Sequence, residues 1–145
     1  MSKKSFEDAE ELIQLGQSKT DYPTKPEEAK LEWFPNPYPK NNYTIEFQCP
    51  EFTSVCPKTH QPDFANIKIE YVANKRCLES KSLKLYLFSY RNTGMFHERI
   101  VNTILNDLVK ILKPRWMKVI GIMNARGGIG INVQSWYCTR GGFRG

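Results

Sequence analysis

Two runs of strict alternation, held apart by a broken segment, constrain this chain more than any other feature. YTIEFQC, residues 43–49, places Tyr43, Ile45, Phe47 and Cys49 on one face and Thr44, Glu46 and Gln48 on the other. FANIKIEYV, residues 64–72, repeats the pattern with Ile67, Ile69 and Tyr71. A period of two is the signature of a half-buried strand, and two strands joined by one segment pair most simply as an antiparallel couple. The segment between them, EFTSVCPKTHQPDF at 51–64, is expected to be too broken for a helix or a regular strand. It carries Cys56, His60 and Asp63 among two prolines. A thiol and a carboxylate on a rigid connection between strands is how a fold presents chemistry at a pocket.

The rest of the chain says what covers those strands. In CLESKSLKLYLFSYRN, residues 77–92, Leu83, Tyr86, Leu87 and Tyr90 recur at helical spacing, with Ser80 as the expected N-cap. After Asn92-Thr93-Gly94, the run FHERIVNTILNDLVKILKP predicts a longer amphipathic helix stopped by Pro114. RWMKVIGIMN (115–124) and GINVQSWYC (130–138) follow as strands around a tight Ala125-Arg126-Gly127-Gly128 connection. The order ββααββ segregates strands from helices. It predicts an α+β fold with a four-stranded antiparallel sheet and two helices on one face. Such a sheet has two open edges, and closing several subunits into a ring-shaped homo-oligomer would cover them. Residues 16–138 are expected to form the single domain, between an acidic extension at 1–15 and a loose basic tail at 139–145. Within it, residues 16–42 form a proline-rich arm whose Trp33, Phe34 and Tyr38 are expected to pack across the domain or a neighbouring subunit.

Bulk properties narrow the function less. A chain of 145 residues suits one domain with a real core. The net charge of +6 favours an anionic partner without naming it. No run is apolar enough to span a bilayer and the N-terminus has no apolar export segment, so a cytoplasmic, reducing setting is expected. Cys49, Cys56, Cys77 and Cys138 include no C-x-x-C pair, which argues against a structural zinc site.

Three sets of residues carry candidate chemistry. Cys56 is either a buried structural thiol or a nucleophile, and Asp63 either a turn residue or its acid/base partner. His60 reads as a loop histidine. His97 and Glu98 open the second helix, where Glu98 suits the helix dipole or, with His97, the N–H edge of a nitrogen-rich heterocycle. Lys81 and Lys84 near a helix start, with Arg126 in the glycine-flanked turn, read as solvated charge or as a phosphate site. There is no G-x-G-x-x-G after a strand, which excludes a Rossmann site.

Together, EFTSVCPKTHQPDF, E-S-K-S-x-K at 79–84, FHE and ARGG resemble the 7-cyano-7-deazaguanine reductase family in its short form. The resemblance runs from about Gly16 to Val133. It implies the tunnelling fold, in pentameric rings that can stack as decamers. It also implies an NADPH-dependent nitrile reductase of queuosine biosynthesis, acting on the free base 7-cyano-7-deazaguanine, with no resident metal and no direct contact with nucleic acid or membrane. By the same resemblance Cys56 is the nucleophile that forms a thioimide and Asp63 the proton donor. His97 and Glu98 hold substrate, Glu79 and Ser80 make further substrate or cofactor contacts, and Lys81, Lys84 and Arg126 bind the NADPH phosphates. His60 departs from the family, which often has glycine there. Two rivals remain. An amidinotransferase relative would add ammonia to the same thioimide but lacks the ESKSLK segment. A basic tRNA-binding module would explain the charge but not the Cys56/Asp63 segment.

Overall fold

The structure, a computed structural model, describes residues 22–139. The acidic extension at 1–15 and the tail beyond Thr139 lie outside the described residues. After a 3₁₀ turn at Pro26–Glu28 come β1 (Trp33–Pro35), β2 (Thr44–Val55), β3 (Pro62–Val72) and β4 (Arg76–Leu78). Then follow α1 (Ser80–Phe88), α2 (His97–Leu112), β5 (Trp116–Met123) and β6 (Asn132–Cys138). Strands β2-β3-β5-β6, in that spatial order, make a four-stranded sheet with every pairing antiparallel.

Alternation sorts the faces as the sequence implies. On β3, Ala65, Ile67, Ile69 and Tyr71 are buried. On β5, Met117, Val119 and Met123 join them. Ile100, Val101, Ile104, Leu105, Leu108 and Leu112 form the buried stripe of α2 that meets this face. Fully burying each such side chain contributes about 1.5–3 kcal/mol relative to leaving it exposed. The helix ends at Lys113, whose left-handed backbone (φ 48°) lets its N–H bond the Val109 carbonyl just before Pro114.

Gly121 marks a close helix–sheet approach. A Cβ there would lie 2.7 Å from Val101 Cγ2 and 2.8 Å from Met123 Cε. Gly121→Val is therefore expected to lower unfolding free energy by about 1–3 kcal/mol, read from urea denaturation, because overpacking must displace α2. An unchanged midpoint would show that α2 yields freely.

Four expectations need correction. The segment 51–64 is mostly strand: β2 runs on to Val55 and β3 begins at Pro62, leaving only 56–61 as the turn. The register slips by one residue between Cys49 and Phe52, a bulge that accommodates Pro50. Pro62 is tolerated because it opens its strand. Second, residues 77–78 are not helical but belong to β4, which pairs with β1 in a separate two-stranded sheet. Third, the α1 cap is Glu79 rather than Ser80. Its Oε1 accepts the Lys81 N–H and its Oε2 the Ser82 N–H, each at 2.7 Å. The carboxylate reaches two of the orphan amides of the first turn and leaves Ser80 inside the helix. Fourth, within the chain Trp33, Phe34 and Tyr38 are exposed, and Pro26, Leu31 and Asn36 are the buried residues of the arm. Trp33 instead lies under the Arg76 guanidinium at 4.3 Å.

Candidate active site

The turn between β2 and β3 is closed by its own backbone. The Cys56 N–H donates to the Gln61 carbonyl at 2.9 Å, and the His60 N–H donates to the Cys56 carbonyl at 2.9 Å. Closing so short a turn requires a left-handed residue, and His60 takes it at φ 60°. That explains why glycine suits this position: an L-residue there costs roughly 1–2 kcal/mol of backbone strain. A second segment clamps the turn from outside. The Val55 N–H donates to the Thr93 carbonyl and the Met95 N–H to the Val55 carbonyl, both at 3.2 Å. Gly94 permits the approach, since a Cβ there would lie 3.3 Å from Pro57 Cα.

Cys56 is half-buried, and its thiol titrates below the usual cysteine range. The leading cause is a hydrogen bond from the Thr59 side chain, followed by the backbone N–H groups of Thr59 and Lys58. Partial burial and the charge of Asp63 act in the opposite direction. Thr59 Oγ1 also accepts the Gln61 N–H at 3.4 Å, which leaves the hydroxyl hydrogen for the sulfur. Thr59→Val removes the strongest of these influences. The expected result is that the pH midpoint for alkylation of Cys56 by iodoacetamide moves upward and the rate at neutral pH falls, because the thiolate is the reacting form. Thr59→Ser should restore both; an unmoved midpoint in the valine variant would contradict the assignment.

Asp63, on the first turn-proximal residues of β3, has a side chain only 9% exposed. Its Oδ1 lies 2.8 Å from Arg126 Nε, and its Oδ2 lies 3.5 Å from His97 Nε2. His97 is placed by the start of α2. Arg126 is placed by the β5–β6 connection, where Arg126 and Ile129 exchange backbone hydrogen bonds at 3.0 Å across Gly127 and Gly128. Both glycines have positive φ (57° and 78°), the geometry of a type I′ turn that few other residues adopt. The structure thus brings Cys56, Asp63, His97 and Arg126 to one end of the sheet. A thiol with stabilised negative charge beside a buried carboxylate can add to an electrophilic carbon and manage the accompanying proton.

The remaining predicted residues take other places. Glu98 is exposed in the first turn of α2, its carbonyl accepting the Asn102 side-chain amide at 2.8 Å. Glu79 is occupied as a helix cap. Lys81 is exposed at the start of α1. Ser80 and Lys84 line a groove of about 420 Å³ between α1 and β2, with Phe47, Phe52, Phe88 and Arg91. The groove lies beside the strand that leads to Cys56. The Arg126 guanidinium is turned onto the 61–63 segment. Sequence reasoning missed Thr59, whose part depends on turn geometry. It also missed Arg91, although the spacing of Lys84, Phe88 and Arg91 on one helical face signalled it. Among the described residues, no group of three or more His, Cys, Asp and Glu side chains is placed to hold a metal ion. No described helix is long and apolar enough to cross a membrane.

The fold is an antiparallel α+β sheet that carries a thiol, a buried carboxylate, an imidazole and a guanidinium at one end. The model of the QueF-like protein family matches residues 62–141. The NADPH-dependent 7-cyano-7-deazaguanine reductase of Streptococcus mutans serotype c is 53% identical over 128 residues, covering 88% of this chain and 79% of that protein. The protein of the same name from Bacillus mycoides is 50% identical over 135 residues, covering 93% and 80%. The chain belongs to the QueF-like protein family. Among solved structures, the apo form of an archaeosine synthase QueF-Like has the same fold, with a TM-score of 0.62 at 21% identity over 66% of this chain and 94% of that one.

Proposed function

We propose that this chain is an NADPH-dependent 7-cyano-7-deazaguanine reductase that converts the nitrile to an aminomethyl group and so serves queuosine tRNA modification. The observation that carries the reading is the Cys56–Asp63 cluster, in a chain about half identical over most of its length to reductases of that name. Cys56 adds to the nitrile carbon to give a thioimide, which is a better hydride acceptor than the nitrile. Asp63 passes the thiol proton to the nitrile nitrogen. His97 flanks the carboxylate, and Glu98, Glu79 and Ser80 complete the substrate-binding set.

When bound, NADPH would provide the hydride chemistry: the thioimide carbon would accept the first hydride, the carbon–sulfur bond would then break to free the Cys56 thiolate and leave an imine, and that imine would accept the second. The groove between α1 and β2 suits such a group: aromatic side chains line its floor, and Lys84 and Arg91 stand at a helix flank where an anion is favoured. Lys81 extends this positive surface. Arg126 belongs to this set by resemblance alone, its guanidinium being turned onto the 61–63 segment. Strands β2 and β6 are the open edges of the four-stranded sheet, and Trp136 on β6 is exposed. These features support assembly into rings through those edges, pentameric and able to stack as decamers.

The test is cofactor consumption by the purified chain. NADPH loss should require the nitrile base, at about two equivalents per nitrile. No NADPH loss, with formation of an amidine that depends on ammonia, would replace this reading with the amidinotransferase one.

A further inference from the structure

We infer that Gly94 is a positioning residue for Cys56: its close contact with the turn sets the spacing between the thiol and the His97–Glu98 pair that opens α2. The inference rests on the nitrile-reductase reading, in which the thiol must meet the carbon of a base held by that pair. Val55 and Gly94 form a parallel bridge, made by the Val55 N–H to the Thr93 carbonyl and the Met95 N–H to the Val55 carbonyl. Pro62, the β3 residue opposite Val55, has no N–H to offer that carbonyl. Cys56 directly follows Val55, and His97 lies shortly after Gly94. The bridge thus joins the strand that carries the nucleophile to the segment that leads into α2.

That segment is anchored on both sides of the bridge. The Thr93 N–H donates to the Tyr90 carbonyl at 2.9 Å, and its Oγ1 donates to the Ser89 carbonyl at 3.3 Å. Tyr90 is fully buried, its ring 5.5 Å from that of Phe52 and its hydroxyl 2.8 Å from that of Tyr86. The Tyr86 hydroxyl donates in turn to Asp107 on α2 at 2.6 Å. Beyond the bridge, the Phe96 carbonyl accepts the N–H of buried Ile100 at 3.0 Å. A turn tied to so well held a segment takes its place from it.

Space, and not conformation, demands glycine at 94. Gly94 does not take the left-handed backbone of Gly127 and Gly128. A Cβ there would lie 3.3 Å from Pro57 Cα and 3.5 Å from Pro57 Cβ, so one partner must move by a few tenths of an ångström. Pro57 is bonded to Cys56 and its ring fixes its own φ, so the push passes on to the thiol. Whichever side yields, the spacing between the thiol and His97 changes.

The step that reads this spacing is addition of the thiol across the nitrile. The S–H bond breaks and its proton reaches the nitrile nitrogen through Asp63. The sulfur bonds to the nitrile carbon, and one carbon–nitrogen π bond opens onto nitrogen. Nothing leaves, and no oxidant or reductant is needed.

The experiment compares the unaltered chain, Gly94→Ala and Gly94→Val. Adduct formation is followed by quenched intact mass, with excess 7-cyano-7-deazaguanine and no NADPH. Alkylation of Cys56 by iodoacetamide is followed by peptide mass, and affinity for the base is measured by calorimetry in a Cys56→Ala background. Iodoacetamide meets the thiol from solvent and needs no register with α2. Gly94→Ala should slow adduct formation by about 3–10-fold and Gly94→Val by about 10–100-fold, as a misplacement of up to about an ångström does. Alkylation, which follows thiolate fraction and access, and affinity for the base should both stay within about twofold of their original values. Gly94→Ala, the milder change, guards against failure of Gly94→Val to fold. Adduct formation at the original rate in the Gly94 variants, alkylation slowed in step with it, or lost affinity as the main effect would overturn the inference. Absence of any adduct on the unaltered chain would instead overturn the reductase reading, and the inference with it.

Discussion

Cys56→Ala is expected to abolish turnover, lowering kcat by on the order of 10⁴-fold or more, as removal of a covalent nucleophile does elsewhere. The fold should survive. The turn at 56–61 is closed by backbone groups of Cys56, His60 and Gln61 and clamped through Val55, and none of these bonds uses the sulfur. A melting temperature close to that of the unaltered chain, beside lost NADPH consumption, is the predicted pair of results. Retained turnover in the alanine variant would mean that hydride reaches the nitrile without a covalent intermediate.

Asp63→Asn is expected to reduce both adduct formation and turnover by roughly 10²–10⁴-fold, the usual range for loss of a positioned acid/base. The substitution keeps the size and shape of the side chain. It leaves a half-exposed Arg126 that water can solvate, so stability should fall by no more than about 1 kcal/mol. The contrast matters: an ion pair whose main task was structural would give a large fall in denaturation midpoint with modest loss of rate. Single-turnover rates and urea denaturation on the same variant distinguish the two.

The elements with long, regular patterns were legible in the sequence. The apolar spacing from Ile100 to Leu112 specified α2, and the alternating run at 64–72 specified β3, because many side chains vote for the same buried face. The pairing of β1 with β4 was not legible, since three residues carry no measurable period. The run of β2 past Pro50 was hidden by a bulge, which breaks alternation locally while the ladder continues. Glu79 was passed over as a cap because shorter side chains are the usual choice.

The site divides in the same way. Cys56 and Asp63 were conspicuous because their residue types imply chemistry. Thr59 acts through a hydroxyl that reaches the sulfur only once the turn closes, and no pattern of residue types encodes that. His60 was an anomaly in the sequence and becomes intelligible as a backbone matter, the left-handed residue that closes the turn. Arg126 was grouped with Lys81 and Lys84 by charge and by resemblance. Its contacts with Gln61, Pro62 and Asp63 were not legible, because they follow from the course of the β5–β6 hairpin, which only the register of β3 against β5 reveals.

The most direct test of the central claim is the intact mass of the protein after incubation with 7-cyano-7-deazaguanine in the absence of NADPH. A thiol adding across a nitrile expels nothing, so the account predicts a gain equal to the whole mass of the base, located on Cys56 and discharged when NADPH is added. An unchanged mass in a chain that nevertheless consumes NADPH with the nitrile base, or a gain that persists in Cys56→Ala, would contradict it.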